Sequence, residues 1–311
     1  MKGGITSGVV YPLAVYELSK TYRFRNIGGT SAGAIAATLT AAAEYRRQHP
    51  SPTEDATAGF EELRALPDWL QQNSNLRRLF QPAKETRALF KFALSLLLSK
   101  GSILKRIAAA IFRSIYCIPA IVVAILAAAI IVENLGRVTN GLTLVLDIVA
   151  TVVCALLLML AGPLIWAVRD LLSAVPFNKY GLCSGMPPAG SKDPVLTEWL
   201  AGKIDAIAGK DAAHPLTFGD LWNSSDGANR DINIEMVTTN VTYGRPFTMP
   251  FAKAINEFYF SETEFGQLFP ARIVAWLKTH PRPLTDGNSI ARRAALEVCG
   301  LYPLPLPADL P

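Results

Sequence analysis

The residues best suited to chemistry lie within the first fifty. Gly29-Thr30-Ser31-Ala32-Gly33 sets a single serine between glycines in a Gly-x-Ser-x-Gly pattern, and upstream Gly3-Gly4-Ile5-Thr6-Ser7-Gly8 forms a glycine-rich turn. A hydroxyl held at a sharp turn can attack an acyl carbonyl, and a loop without side chains lets backbone N–H groups approach the resulting oxyanion. Ser31 is therefore the expected nucleophile. Gly3, Gly4 and Ile5 are the expected oxyanion donors, and Gly29 and Gly33 clear space for the turn. A glycine loop can instead cradle phosphate, but no Walker lysine follows and Gly-x-Gly-x-x-Gly is not met. A five-residue pattern alone recurs by chance. The two elements together, separated only by one helix and one strand, are far more specific.

Three elements must position these residues. The apolar run Val9–Lys20 predicts a helix, and the short alternating Tyr22–Ile27 (YRFRNI) predicts a strand. Ala34–Arg47 is built from strong helix formers. Strand, Gly-x-Ser-x-Gly and helix in that order are the context of a nucleophile elbow. Ser31 then stands at a helix start, where the dipole and unpaired N–H groups favour developing negative charge.

A serine hydroxyl also needs a base. The Asp-Gly pairs are Asp226-Gly227-Ala228 and Asp286-Gly287-Asn288, and Asp-Gly is also a frequent turn dipeptide. The order Ser31, Asp226, His280 mimics the triad of α/β-hydrolases. Against that, His49, His214 and His280 each precede a proline, as loop residues do. The residues alone leave the base open.

The near-adjacency of glycine loop and elbow resembles the patatin-like phospholipases. The resemblance implies a three-layer α/β/α domain and a Ser–Asp dyad without histidine, the Asp lying in an Asp-Gly-Gly/Ala motif. It also implies hydrolysis of membrane glycerolipid esters without metal or organic cofactor. The motif match covers residues 1–48. Asp231–Thr242, Gly244-Arg245-Pro246-Phe247 and Asn256–Phe260 are similar to a bacterial, membrane-associated branch. Ile5 stands where the family loop has a third glycine, and Ser7 where a basic residue is common. Asp226-Gly227-Ala228 fits the motif literally but follows a turn, so the dyad Asp is expected beyond Pro311. The family strand leading into the loop would precede Met1, and the start is expected to be trimmed.

Composition adds a membrane. The apolar set is 50% and charged residues 18%, against about 25% charged in soluble domains; mean hydropathy is +0.27. This excludes a disordered chain and argues against a purely soluble one. Ser114–Val132 and Ile148–Val168 contain no charge, each about the length of a bilayer-spanning helix. The polar link Glu133–Gly141 makes them an antiparallel hairpin. Lys100, Lys105, Arg106 and Arg113 precede it and Arg169 and Lys179 follow, with only Arg137 in the link. Both flanks should face the cytoplasm, with the hairpin in a bacterial inner membrane. A buried helical pair in a soluble core is the alternative.

The formal charge of +5 comes from residues clustered near the spans, which argues against a nucleic-acid partner; membrane lipids are the expected partners. Four cysteines without a CxxC pair and three scattered histidines argue against a metal centre or disulfide framework, and for a reducing compartment. Phe60, Leu63, Leu66, Trp69 and Leu70 share a helical stripe expected to be core. Lys91–Lys100 is expected along the membrane surface, and Pro176–Pro194 as a returning loop. The proline-alternating tail 301–311 reads as a linker, so the chain is expected to be cut short there. The expected organisation is 1–50 for loop and elbow, 51–113 as a helical insert, 114–168 as the hairpin, 169–300 as the rest of the α/β domain, then the tail. A catalytically silent membrane scaffold on the same fold is the competing function.

Overall fold

The computed structural model describes residues 1–4, 7–52, 55–112, 117–136, 141–187, 194–222, 230–240, 244–251, 258–284 and 289–311. The elements run α1 (Ser7–Ser19), β1 (Asn26–Gly29), α2 (Ala32–Gln48), α3 (Ala58–Gln71), α4 (Asn75–Leu79), α5 (Arg87–Leu98), α6 (Ile103–Phe112), α7 (Cys117–Gly136) and α8 (Gly141–Phe177). They continue with α9 (Leu196–Ala208), α10 (Phe218–Trp222), β2 (Asn233–Asn240), β3 (Arg245–Met249), β4 (Tyr259–Ser261), α11 (Glu262–Phe265), α12 (Ala271–Thr279), α13 (Ser289–Val298) and β5 (Leu301–Pro303). The chain divides into one unit of Met1–Phe80 with Gly185–Pro311 and a second of Gln81–Ser184.

In the first unit β1 pairs parallel with β2, from Asn26↔Asn233 to Gly29↔Met236, and β2 pairs antiparallel with β3. Alternation along the strands buries Ile27, Gly29 and Ile234 and exposes Asn26, Gly28 and Glu235. The alanine-rich α2 packs on β1 and β2 and meets α1, α3 and α9. Its small residues Ala37, Ala41, Ala42 and Ala43 are fully buried, which lets neighbouring backbones approach. At Gly59 of α3 an added Cβ would stand 2.8 Å from the Ile207 carbonyl and 3.0 Å from the Ala43 Cα. Phe60, Leu63 and Leu66 are buried in the same core, with Leu70 at its edge. The row Asn26, Gly28, Glu235 and Val237 is exposed. The described residues thus give an α/β fold with one face of the sheet open, where three layers were expected.

The expected strand Tyr22–Ile27 starts late, at Asn26, for a physical reason. Its leading backbone groups are taken by side chains of α2 rather than by a neighbouring strand. Arg47 donates to the carbonyls of Ser19 (2.7 Å) and Tyr22 (3.0 Å), and the Phe24 N–H donates to Glu44 (3.2 Å). Glu44 is fully buried, ion-paired to Arg47 and bonded by Gln48. The Arg47 guanidinium also lies over the Phe60 ring, 4.7 Å from its centre.

The tail is not a linker. β5 pairs antiparallel with β4, placing Phe260 opposite Tyr302, and Leu304 and Leu310 are buried in the core. The Trp276 indole donates to the Asp309 carbonyl (2.9 Å), the Phe218 N–H to that of Leu310 (3.0 Å) and Arg282 to that of Phe258 (2.8 Å). Proline lacks a donor but keeps its carbonyl, so an edge strand tolerates it, and the leucines between the prolines supply the apolar anchors.

In the second unit the ends of the segment meet. Pro82 bridges Cys183, the Ala83 N–H donates to the Leu182 carbonyl (3.2 Å) and so does the Thr86 hydroxyl (2.5 Å). The helices α5 and α6 form a hairpin, and α7 lies along α8. Both long helices are apolar enough to cross a membrane, their most apolar 18-residue stretches having mean hydropathies of 2.4 and 2.8 and almost no buried residues. The side chains Ile125, Leu126, Leu157 and Ile165 point outward. Where α7 and α8 touch, Gly162 leaves room for Pro119, which an added Cβ would approach to 3.3 Å. α8 passes through Pro163 and Pro176 without breaking, so the loop expected from Pro176 starts after Phe177. Glu133–Gly136 of the expected link belongs to α7, and 137–140 lie outside the described residues.

Candidate active site

The site forms where β1 ends and α2 begins. Ser31 sits at the N-cap of α2 with φ 55° and ψ −131°, a conformation L-residues rarely adopt and which marks stored strain. A serine at an N-cap ordinarily turns its oxygen onto the helix amides. Here its side chain makes no capping bond, and the residue is exposed. The hydroxyl is thus held at the positive end of α2 without being tied to it.

Three glycines make this turn possible through backbone-to-backbone contact. A Cβ added at Gly29 would fall 2.1 Å from the Gly33 carbonyl oxygen, and one at Gly33 would fall 2.5 Å from the Met1 oxygen. A Cβ added at Gly3 would fall 2.5 Å from the Ser31 Cβ and 2.6 Å from the Thr30 oxygen. Strand end, helix start and N-terminal segment therefore interlock, and the glycine loop lies directly against the serine. Gly4 is exposed beside it. Ile5 lies outside the described residues.

The N-terminal segment is pinned twice. The Met1 amine donates to the Gly28 carbonyl and the Thr30 N–H donates to the Met1 carbonyl (3.2 Å), the pattern of a parallel bridge opposite Gly29. One residue on, the Tyr11 hydroxyl accepts from the Lys2 N–H (2.9 Å) and donates to the Lys2 carbonyl (2.8 Å). Sequence reasoning missed Tyr11; its only signal was a hydroxyl within an apolar helix. It also passed over Ala32, whose amide opens α2 and lies 3.1 Å from where a Gly3 Cβ would be, the position of the residue after the nucleophile that commonly completes an oxyanion hole.

The expected bases are not brought to Ser31 among the described residues. Asp226 and Asp286 lie outside them. His280 ends α12, stacks on Trp276 with ring centres 3.9 Å apart and bonds the Trp276 carbonyl (3.0 Å). His49 likewise contacts the Tyr45 carbonyl (3.1 Å), and His214 contacts Asp211 (3.1 Å). Each imidazole thus serves its own helix end or turn. Among the described residues no group of His, Cys, Asp and Glu could hold a metal ion.

Strand, strained serine, helix and an abutting glycine loop have the arrangement the sequence motif leads one to expect. Residues 1–140 match the family model for patatin-like phospholipases, the stretch that carries both loop and elbow. The "RpoH suppressor" of Rhizobium meliloti (strain 1021) is 35% identical over 291 residues, which are 89% of this chain and 44% of that protein. The chain thus spans less than half the length of that curated relative. No solved structure matches it. Residues 1–140 thus place the N-terminal part of the chain in the patatin-like phospholipase family.

Proposed function

We propose that the protein is a lipid acyl hydrolase in which Ser31 attacks the ester carbonyl of a membrane glycerolipid. The observation that carries this reading is the strained, uncapped Ser31 packed against the glycine loop at Gly3. The Ser31 oxygen bonds to the acyl carbon while its proton passes to an aspartate. The amides of Gly3, Gly4 and Ile5, with that of Ala32, hold the oxyanion. Collapse expels the alcohol, which takes the proton from the aspartate; the same aspartate then activates the water that releases the fatty acid. An aspartate outside this chain is the first candidate for that role, and Asp226 the weaker one within it. No cofactor enters the scheme, and nucleic acid is not a partner.

The elbow belongs to an α/β domain made of Met1–Phe80 and Gly185–Pro311, with Gln81–Ser184 as the inserted segment. The hairpin 114–168 crosses the bacterial inner membrane and leaves the catalytic domain on the cytoplasmic side. Support comes from outward-facing apolar helices of spanning length and from basic residues on both flanks. Deleting 114–168 should release the chain from membranes during alkaline carbonate washing.

A second reading, a catalytically silent scaffold, is favoured by one observation: no described carboxylate or imidazole bonds the Ser31 hydroxyl. Fluorophosphonate labelling of membranes separates the two. Labelling lost with both Ser31→Ala and Asp226→Asn supports a dyad within the chain, and loss with Ser31→Ala alone points to another base. No labelling of folded protein, extended through its reading frame, supports the scaffold.

A further inference from the structure

The α5–α6 hairpin of the second unit ends in an apolar tip. Leu97 (73% exposed), Leu98 (68%) and Ile103 (74%) stand out around a turn at Gly101. Each lies outside the two long apolar helices, so spanning does not account for it. The tip is a built turn. Arg106 caps the end of α5 by donating Nε (2.9 Å) and Nη2 (2.7 Å) to the Leu96 carbonyl, and the Ser99 hydroxyl donates to the Ser95 carbonyl (2.6 Å). Lys105 lays its stem over Gly101, 3.6 Å from where a Cβ would stand.

Charge around the tip has one sign. Between Glu85 and Glu133 the chain carries Arg87, Lys91, Lys100, Lys105, Arg106 and Arg113 and no acid. Lys100 and Lys105 are exposed beside the three apolar side chains. Apolar side chains ringed by ammonium groups suit one surface in particular, the boundary between acyl chains and anionic headgroups. Topology accounts for basic residues anywhere on the cytoplasmic flank; their place here, exposed beside the three apolar side chains, is what suits an anionic lipid surface better than a soluble partner.

We propose that this tip inserts into the cytoplasmic leaflet and recognises anionic phospholipid, Leu97, Leu98 and Ile103 entering the acyl boundary while Lys100 and Lys105 contact headgroup phosphates. The inference rests on the spanning reading of α7 and α8. It makes the enzyme sensitive to the charge of the membrane that holds its substrate.

The test uses the full chain with Cys117, Cys154, Cys183 and Cys299 replaced by alanine. Leu98→Cys or Ile125→Cys then carries an environment-sensitive NBD fluorophore. Each is reconstituted in vesicles of phosphatidylcholine alone or with phosphatidylglycerol, together with lipids spin-labelled at shallow or deep positions. The expected result is a deep signal at 125 in both membranes. At 98 a shallow signal is expected only with phosphatidylglycerol, and Lys100→Glu with Lys105→Glu should weaken it by about tenfold. A water-like signal at 98 with a deep one at 125 overturns the tip and leaves the spans standing. A water-like signal at 125 overturns the spanning reading, and the tip with it. Equal insertion in neutral and anionic vesicles overturns the headgroup recognition. A signal at 98 that rises with protein density rather than lipid charge replaces the lipid with a second copy of the chain.

Discussion

Replacing Gly3 by alanine tests the placement of the glycine loop most directly. The new methyl would meet the Ser31 Cβ at 2.5 Å and the Thr30 oxygen at 2.6 Å, whereas unstrained carbon contacts lie at about 3.5–4.0 Å. The loop must therefore move about 1 Å away from the serine. A misplacement of that size costs about 100-fold in rate, and removing one oxyanion donor costs about 100- to 1,000-fold in kcat. Gly3→Ala is thus expected to lower the fluorophosphonate labelling rate of Ser31 by about 100-fold. The fold should survive, because the loop has Gly4 exposed beside it and can yield. Gly29→Ala is the contrasting case: its methyl would sit 2.1 Å from a carbonyl oxygen within the elbow, so both the unfolding midpoint and labelling should fall. The assay pairs second-order labelling rates with thermal unfolding in detergent. Gly3→Ala labelling at the parental rate with an unchanged midpoint would refute the packing of loop on serine.

Four further outcomes follow from other parts of the structure. Tyr11→Phe removes both bonds to the Lys2 backbone and should slow Ser31 labelling by about tenfold and lower the unfolding midpoint by a few degrees, two ordinary hydrogen bonds amounting to about 1–3 kcal/mol; a parental rate would show that the loop needs no strut. Gly202 lies inside α9 with nothing within 4 Å of an added Cβ, so Gly202→Ala should raise stability by about 1 kcal/mol in denaturant titration. Glu44→Ala leaves the nearly buried Arg47 unpaired and should cost about 3 kcal/mol; a loss no larger than a surface substitution would contradict its role as the tie between α1 and β1. Burial pushes the Cys183 thiol up from its usual range, so at neutral pH it stays protonated. Maleimide should label the exposed Cys299 first, with Cys183 catching up only as pH rises.

How much of this was legible in the chain depends on how local each feature is. The tight strand-to-helix turn at Ser31 could be read because its requirements sit within five consecutive residues, and the glycines that must be bare are written as glycines. The helix Ala32–Gln48 and both long apolar helices follow from runs of suitable residues. The late start of β1 was not legible, because Tyr22 and Phe24 give their backbone groups to Arg47 and Glu44, more than a helix length away in sequence. The tail misled for a related reason: alternating proline looks like spacer until Leu304 and Leu310 meet a core assembled from distant segments. Tyr11 was hidden because its partner is the backbone of Lys2, which has no side-chain signature.

The closure between Ala83 and Leu182 carries a consequence for how such a chain can change over time. A segment of about a hundred residues leaves and rejoins through one doorway, since Pro82 faces Cys183 across a bridge and Thr86 bonds the same Leu182 carbonyl. Loop closure depends only weakly on the length of what is enclosed, so replacing everything between those two points by a short turn leaves the flanking connections nearly where they were. Such an arrangement behaves as a cassette. The enclosed helical segment can be gained, exchanged or discarded in a single genetic event, without redrawing the α/β core on either side of it.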